Sequence, residues 1–399
     1  MGQPRVNVWV AGLLWTMFLP MVATAAEPGV RFETRVLDPN VGNICYAVTA
    51  ADVDGDKLPD VVAVTENRVV WFQNPTWKLR VIIENQTERD NVCIAPQDID
   101  GDGKIDFALG AGWTKIGTLQ WLTRGASLDD KWHVQYINTE AALHRVRWGD
   151  ILGTGKPQLV ISPLNKSTAP QGVRLLAFEI PGQPKTAAWK ATALDEQLNA
   201  MHNHWMGDFT GDGKTDALVA CMEGVFLFER KADGTFLKTQ LSQGEPGKPT
   251  AQVTGAGEIK VGKLGSKRII ATVEPMHGHS VVVYTEPAAG EKFWTRNVLD
   301  KTLKRGHAVG LADFDQDGRD EVVIGHSDLG TGDPKGPGVF LYTSGDADGK
   351  TWKKSIIDNG GIATEDLVIE DFNGDGRPDI AAGGRATHNV KLYLSQGTK

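Results

Sequence analysis

The sequence predicts an all-β fold, a seven-bladed β-propeller of four-stranded blades, and three observations carry the prediction. An aspartate-rich loop recurs about every 50 residues, each copy flanked by short apolar strands. Beyond residue 25 there is essentially none of the 3.6-residue periodicity of an amphipathic helix. The last repeat stops one strand short, while an unmatched strand-like segment precedes the first repeat.

The elements follow in order. The loops are DVDGDKLPD from Asp52, DIDGDGKID from Asp98, a worn DILGTGKPQ from Asp150 and DFTGDGKTD from Asp208. After them come GKLGSKR from Gly262, which keeps only the surrounding pattern, DFDQDGRDE from Asp313 and DFNGDGRPD from Asp371. A first strand precedes each loop and a second follows it: VVAVT, FALGA, LVISP, ALVAC, IIATV, VVIGH and IAAGG. Third strands read RVVWFQN, GVFLFER, SVVVYTE and GVFLYTS. Fourth strands are usually opened by an aromatic residue, as in WKLRVII, WHVQYIN, WKATALD, FWTRNVLD and WKKSIID. The last repeat ends on its third strand, VKLYLSQ, and RFETRVLD at Arg31 to Asp38 closely matches FWTRNVLD. That segment is expected to complete the last blade and close the ring, which removes the exposed edge of an open array. These repeats resemble the FG-GAP or VCBS family of calcium-loop propeller units. The resemblance implies seven blades and, by itself, no particular chemistry.

Ahead of the repeats, Val6 to Val22 is mostly apolar, Arg5 precedes it, and Ala23-Thr24-Ala25 offers small residues at a cleavage site. This predicts a signal peptide over residues 1–25, a propeller over 26–399, and a secreted or periplasmic protein with no membrane partner after cleavage. The net charge of −8 becomes more negative still when Arg5 leaves with the leader. So acidic a chain is unsuited to nucleic acid, whose binding needs a basic patch. Three cysteines, Cys45, Cys93 and Cys221, cannot all pair and read as small buried side chains.

Oxygens at loop positions 1, 3, 5 and 9, with a carbonyl at 7, suit a hard cation, and glycine at 4 or 6 permits the tight turn. The first loop offers Asp52, Asp54, Asp56 and Asp60, and the second Asp98, Asp100, Asp102 and Asp106. The sixth offers Asp313, Asp315, Asp317 and Glu321, and the seventh Asp371, Asn373, Asp375 and Asp379. The fourth has Thr210 at position 3, leaving Asp208, Asp212 and Asp216 as a weaker set. Calcium as a structural cofactor is the expectation, against turns that satisfy their own backbone groups.

Strand direction places the histidines. First strands run toward the aspartate loops and second strands run back. Starts of first strands and ends of second strands therefore share the opposite face, near the central channel. His144, His202, His204 and His307 lie near starts of first strands, and His277, His279, His326 and His388 follow second strands; only His133 sits on an outer strand. Glu66, Glu223, Glu274, Glu365, Asp366, Arg145, Arg305 and Arg385 occupy comparable positions. Imidazole suits zinc and similar borderline ions, so the two faces are expected to prefer different metals.

The stretches LHRVRWGDILG, HNHWMGDF, ATVEPMHGHSVVVYTE and GHAVGLADFDQDG resemble the propeller domain of the aldos-2-ulose dehydratases and their bacterial relatives. That resemblance implies elimination of water from keto-sugars at a zinc-bearing propeller cleft. It points to His202, His277 and His307 as metal ligands, with His279 as a rival to His277. The cupin domains of the fungal enzyme are absent from this sequence, so the isomerase half of such an activity is expected to be missing. In β-elimination a base removes the proton α to a carbonyl while a metal polarises it. His144, Glu274 and His326 are the candidate bases, and Glu274 is alternatively a partner that orients His277. The two readings are a secreted metal-dependent carbohydrate lyase or dehydratase acting on a small sugar, and a non-catalytic propeller binding glycans or a protein partner. Serine-triad, nucleotide-binding and haem-attachment motifs are absent.

Overall fold

The computed structural model describes residues 1–2, 29–164, 173–246, 254–328 and 336–398. The expected leader lies outside the described residues. Among the described residues no helix is long and apolar enough to cross a membrane.

Seven four-stranded antiparallel sheets form the blades of a closed ring. The first strands are Cys45–Ala51, Cys93–Gln97, Leu143–Gly149, Asn203–Gly207, Glu258–Leu264, Gly306–Ala312 and Thr364–Glu370, and they line the axis. Second strands such as Asp60–Thr65 and Glu321–His326 are buried at every position, because both of their faces pack against other blades. This is why they read as unbroken apolar runs rather than alternating ones. Outer strands such as Phe32–Asp38 are half exposed.

The core is divided among the seams between neighbouring blades. Val62, Val64 and Trp71 of blade one meet Phe107 and Leu109 of blade two, and similar clusters fill the other seams. The aromatic that opens a fourth strand seals such a seam. Trp77 of blade one lies edge-on to Phe372 of blade seven, ring centroids 6.4 Å apart, and Trp294 of blade five meets Phe209 of blade four at 5.4 Å. Cys45, Cys93 and Cys221 are all buried and unpaired.

Closure is as the sequence predicts. Phe32–Asp38 pairs antiparallel with Val390–Ser395, from Phe32 opposite Ser395 to Asp38 opposite Val390. Val41, Cys45 and Val61 of blade one share a cluster with Phe372, Ala381 and Val390 of blade seven, so the seam where the chain's ends meet is packed like the others.

Candidate functional site

Four inner strands open with a bulge at the same level of the channel. The ladder slips between Cys45 and Ala47, Leu143 and Arg145, Gly306 and Ala308, and Thr364 and Asp366. The unpaired residues are Tyr46, His144, His307 and Glu365. A bulge places two residues opposite one and re-aims the extra side chain. Here all four point into one cavity of about 300 Å³, which Trp113, Arg145, His277, Arg305 and Arg385 also line.

His202, fully buried just before strand Asn203–Gly207, completes a group of four imidazoles. Nitrogen donors of His144, His202 and His307 all lie within 4.8 Å of one another. His277 enters from the turn after the second strand of blade five, its Nε2 3.0 Å from Nε2 of His202 and its ring stacked on His307 at 4.9 Å. His277 holds a left-handed backbone, φ 54°, uncommon for a side chain of its size. That twist turns its imidazole toward the channel while His279 stays exposed.

Glu258, at the start of the first strand of blade five, sits beneath the group. Its Oε1 lies 2.9 Å from Nδ1 of His202, out of line for a hydrogen bond, and 3.2 Å from Nη2 of Arg145. Its Oε2 accepts from the Asn203 side-chain amide. Burial alone would raise its carboxyl, but His202 and Arg145 hold it well below the usual carboxylate range. Burial lowers all four imidazoles, aided at His144 by Arg145 and opposed at His202 by Glu258, and it takes His277 to about 2. Four neutral imidazoles with facing nitrogens over an ionised carboxylate fit a borderline divalent ion, whose usual ligand is neutral imidazole oriented by such a carboxylate. Nδ1 of His307 has no hydrogen-bond partner, a further mark of a donor set left open.

Glu365 faces this group. Its Oε1 accepts from Arg385 at 2.5 Å and lies 3.6 Å from Nε2 of His307. Its Oε2 is buried without a partner. Burial raises its carboxyl, only partly offset by Arg385 and Arg305.

With that geometry in view, similarity to known proteins is informative. The family model for the β-propeller domain of aldos-2-ulose dehydratase matches residues 116–287, and one for FG-GAP-like repeats matches 52–109 and 313–382. The chain resembles the aldos-2-ulose dehydratase propeller. It is 27% identical over 285 residues to the aldos-2-ulose dehydratase of Phanerodontia chrysosporium, covering 63% of this chain and 30% of that enzyme. The chain thus spans under a third of the relative's length. A solved structure of an Agrocybe aegerita lectin, described as recognising non-reducing terminal N-acetylglucosamine, superposes with a TM-score of 0.50 at 13% identity. It covers 88% of this chain and 85% of the lectin and shows a shared fold alone. The dehydratase-like segment contains His144, His202, Glu258 and His277, whereas His307 and Glu365 lie beyond it.

Two of the expected bases stand apart from the histidine group. Glu274 is fully buried but turned outward, accepting from Thr272 at 2.8 Å, from Tyr284, and from Arg296 at 2.8 Å. It is therefore tied into blade five and does not orient His277. His326 packs on Phe340 at 5.1 Å, in the apolar seam rather than the channel. His144, the third, lies within the imidazole group, its depressed basicity suiting a ligand better than a base. His204 is buried against Ser162, and His388 is exposed. Glu258 was missed because the worn fifth loop concealed where its strand begins. Its one signal was its place two residues before Lys260 on an otherwise apolar strand start.

On the opposite face, carboxylates at positions 1, 3 and 9 converge in loops one, two and six: Asp52, Asp54 and Asp60; Asp98, Asp100 and Asp106; Asp313, Asp315 and Glu321. Position 5, expected among the donors, turns away. Asp102 pairs with Lys104, Asp212 with Lys214, Asp317 with Arg319 and Asp375 with Arg377, while Asp56 accepts from the Leu58 N–H. Burial pushes the position-9 carboxyls of Asp60 and Asp106 up to about 7 and of Glu321 to about 8. In the seventh loop Asp379 rises to about 6, and Asn373 bonds to Asp375. In the fourth, the Thr210 hydroxyl donates to Asp216. The worn third loop shows the alternative to a cation: Gln158 at position 9 donates its amide to Asp150 and Thr154. A carboxylate at position 9 cannot donate to the other loop oxygens as Gln158 does; it accepts backbone N–H groups instead, as Asp60 does from Val53 and Asn74.

Proposed function

We propose that this chain is a metal-dependent carbohydrate lyase that removes water from a small keto-sugar in the 300 Å³ cavity at the channel mouth. One observation carries the reading: four neutral imidazoles and a buried carboxylate with one oxygen left free are gathered at one ligand-sized opening by residues from four blades and the turn after a second strand. The similarity to a dehydratase propeller supports a carbohydrate-related role. The volume lies at the low end for ligand sites, which suits one sugar ring better than an extended glycan. His202 and His307, with His144 or His277, would hold a zinc-like ion, and such an ion when bound supplies a Lewis acid for the substrate carbonyl.

The chain's own residues account for the proton. Oε2 of Glu365 takes the hydrogen α to the carbonyl, its carboxyl raised toward the useful range by burial. The C–H electron pair becomes an enolate, whose charge faces the guanidinium groups of Arg145, Arg305 and Arg385 across the cavity. As the enolate collapses, the β C–O bond breaks and the same carboxyl returns the proton to the departing hydroxyl, so water and an enone are produced. Calcium in the acidic loops, and export guided by residues 1–25, complete the proposal.

Metal analysis of the purified protein, with an ultraviolet assay for enone formation from 2-keto-sugars, tests it. One equivalent of transition metal and enone formation lost in Glu365→Gln are the expected results. A protein free of transition metal that still binds sugars would establish the non-catalytic binding module instead.

A further inference from the structure

Below the histidines the channel widens into a second cavity of about 490 Å³, toward the aspartate-loop face. Two residues along a strand return a side chain to the same face, roughly 6.6 Å further on. The step from Arg145 leads to Arg147 and the step from Glu258 leads to Lys260. The upper level therefore carries an ion pair, and the lower level carries two cations. Among the described residues the Arg147 guanidinium donates to neutral acceptors alone, the Val146 carbonyl at 2.8 Å and Oδ1 of Asn203 at 3.4 Å. The Lys260 ammonium makes no hydrogen bond or ion pair among the described residues. Burial and then the Arg147 charge lower it to about 8.

One carboxylate, Asp366, lines this cavity and can balance only one of the two cations. Oδ2 of Asp366 accepts the Val48 N–H at 3.0 Å, and burial pushes its carboxyl up. Arg145, the third cation at the cavity's upper edge, is already matched by Glu258. Arg147 and Lys260 facing one cavity with the single carboxylate of Asp366 leave an excess of positive charge, which a bound anion would relieve.

We infer that the lower channel cavity is a binding site for a small oxyanion, either a free phosphate or sulfate or the acid group of a sugar, held between Arg147 and Lys260. Guanidinium supplies a fork for two oxygens and ammonium a point charge for a third. Trp148 and Trp205 also line the cavity, their rings packed toward Trp189 and Phe209 in the neighbouring seams. The site is separate from the histidine group and does not depend on the activity proposed for it.

The test uses the full chain freed of phosphate and sulfate, titrated calorimetrically with inorganic phosphate and with glucuronate at constant ionic strength. Saturable binding of one equivalent is expected, weakened at least ten-fold in Lys260→Met and in Arg147→Met, with transition-metal content unchanged. Tighter glucuronate than phosphate assigns the oxyanion to a sugar acid, and the reverse to a free ion. Phosphate or glucuronate should also raise the melting temperature of the wild type and not that of the variants, a second readout that shows whether each variant is folded. No saturable binding by the wild type, or equal affinity in folded variants, overturns the assignment.

Discussion

Replacing Glu258 with glutamine removes the negative half of the ion pair that floors the histidine site. Glu258 and Arg145 each have side chains 5% exposed, and His202 is fully buried. Deleting one member of a buried pair costs about 3–5 kcal/mol, because the survivor keeps its desolvation penalty without its partner. Glutamine can still bond to Asn203 or accept from Arg145, so the lower end, about 3 kcal/mol, is expected. At a few degrees per kcal/mol for a large domain, that lowers the melting temperature by roughly 5 °C or more. The same change removes the negative charge 2.9 Å from Nδ1 of His202 and should weaken transition-metal binding about 10-fold or more. Adding Arg145→Met to Glu258→Gln should recover more than half of the lost stability, since no uncompensated charge remains, but none of the metal affinity. Calorimetric melting curves and a zinc competition titration on the wild type, both single variants and the double variant complete the cycle. Wild-type stability and wild-type zinc affinity in Glu258→Gln would refute the reasoning.

Deleting Arg31 to Asp38 should aggregate the protein or sharply lower its melting temperature, because Val390–Ser395 becomes an open edge and Phe314 loses its edge-on contact with Phe32; an unchanged melting curve with a monomeric elution profile would count against closure. In chelator, Asp60, Asp106 and Glu321 bind protons more tightly folded than unfolded, so the stability they contribute is full below about pH 4 and is lost as pH rises through 7 to 8. Calcium should therefore raise the melting temperature more at pH 8 than at pH 6, and identical curves with calcium and chelator at pH 8 would show the loops to be self-satisfied. Glu274→Gln should lower stability by about 1–2 kcal/mol by weakening the charged bond to Arg296, which keeps its pair with Glu245, while leaving metal content intact; loss of bound metal with an unchanged melting curve would return Glu274 to the site. His277→Ala should weaken metal binding without altering calcium stabilisation, whereas His279→Ala should change neither; a metal defect in His279→Ala alone would reverse that choice.

What the sequence by itself determined was everything local or repeated. Each aspartate loop closes within nine residues, so its place and its carboxylates at positions 1, 3 and 9 can be read wherever it occurs, though not that position 5 turns to a neighbouring lysine or arginine in the second, fourth, sixth and seventh loops. Unbroken apolar runs identify strands buried on both faces, and the match between RFETRVLD and FWTRNVLD marks the strand that closes the ring. Strand direction was enough to send the histidines to one face. Which of them meet was decided only by the tertiary structure. Side chains on a strand change face at every residue, and a single bulge reverses the order from that point on. His307 and Glu365 are bulge residues and face the cavity, whereas His326, at the end of the strand beside Gly306, turns into the seam. His277 reaches the group through a left-handed backbone that nothing in its sequence announces, and Glu274 is drawn outward by Arg296 on a strand two positions away. Glu258 shows the same limit from the other side: its neighbours within the strand are ordinary, and its role comes from Arg145 and His202, 113 and 56 residues earlier in the chain and brought beside it by closure of the ring.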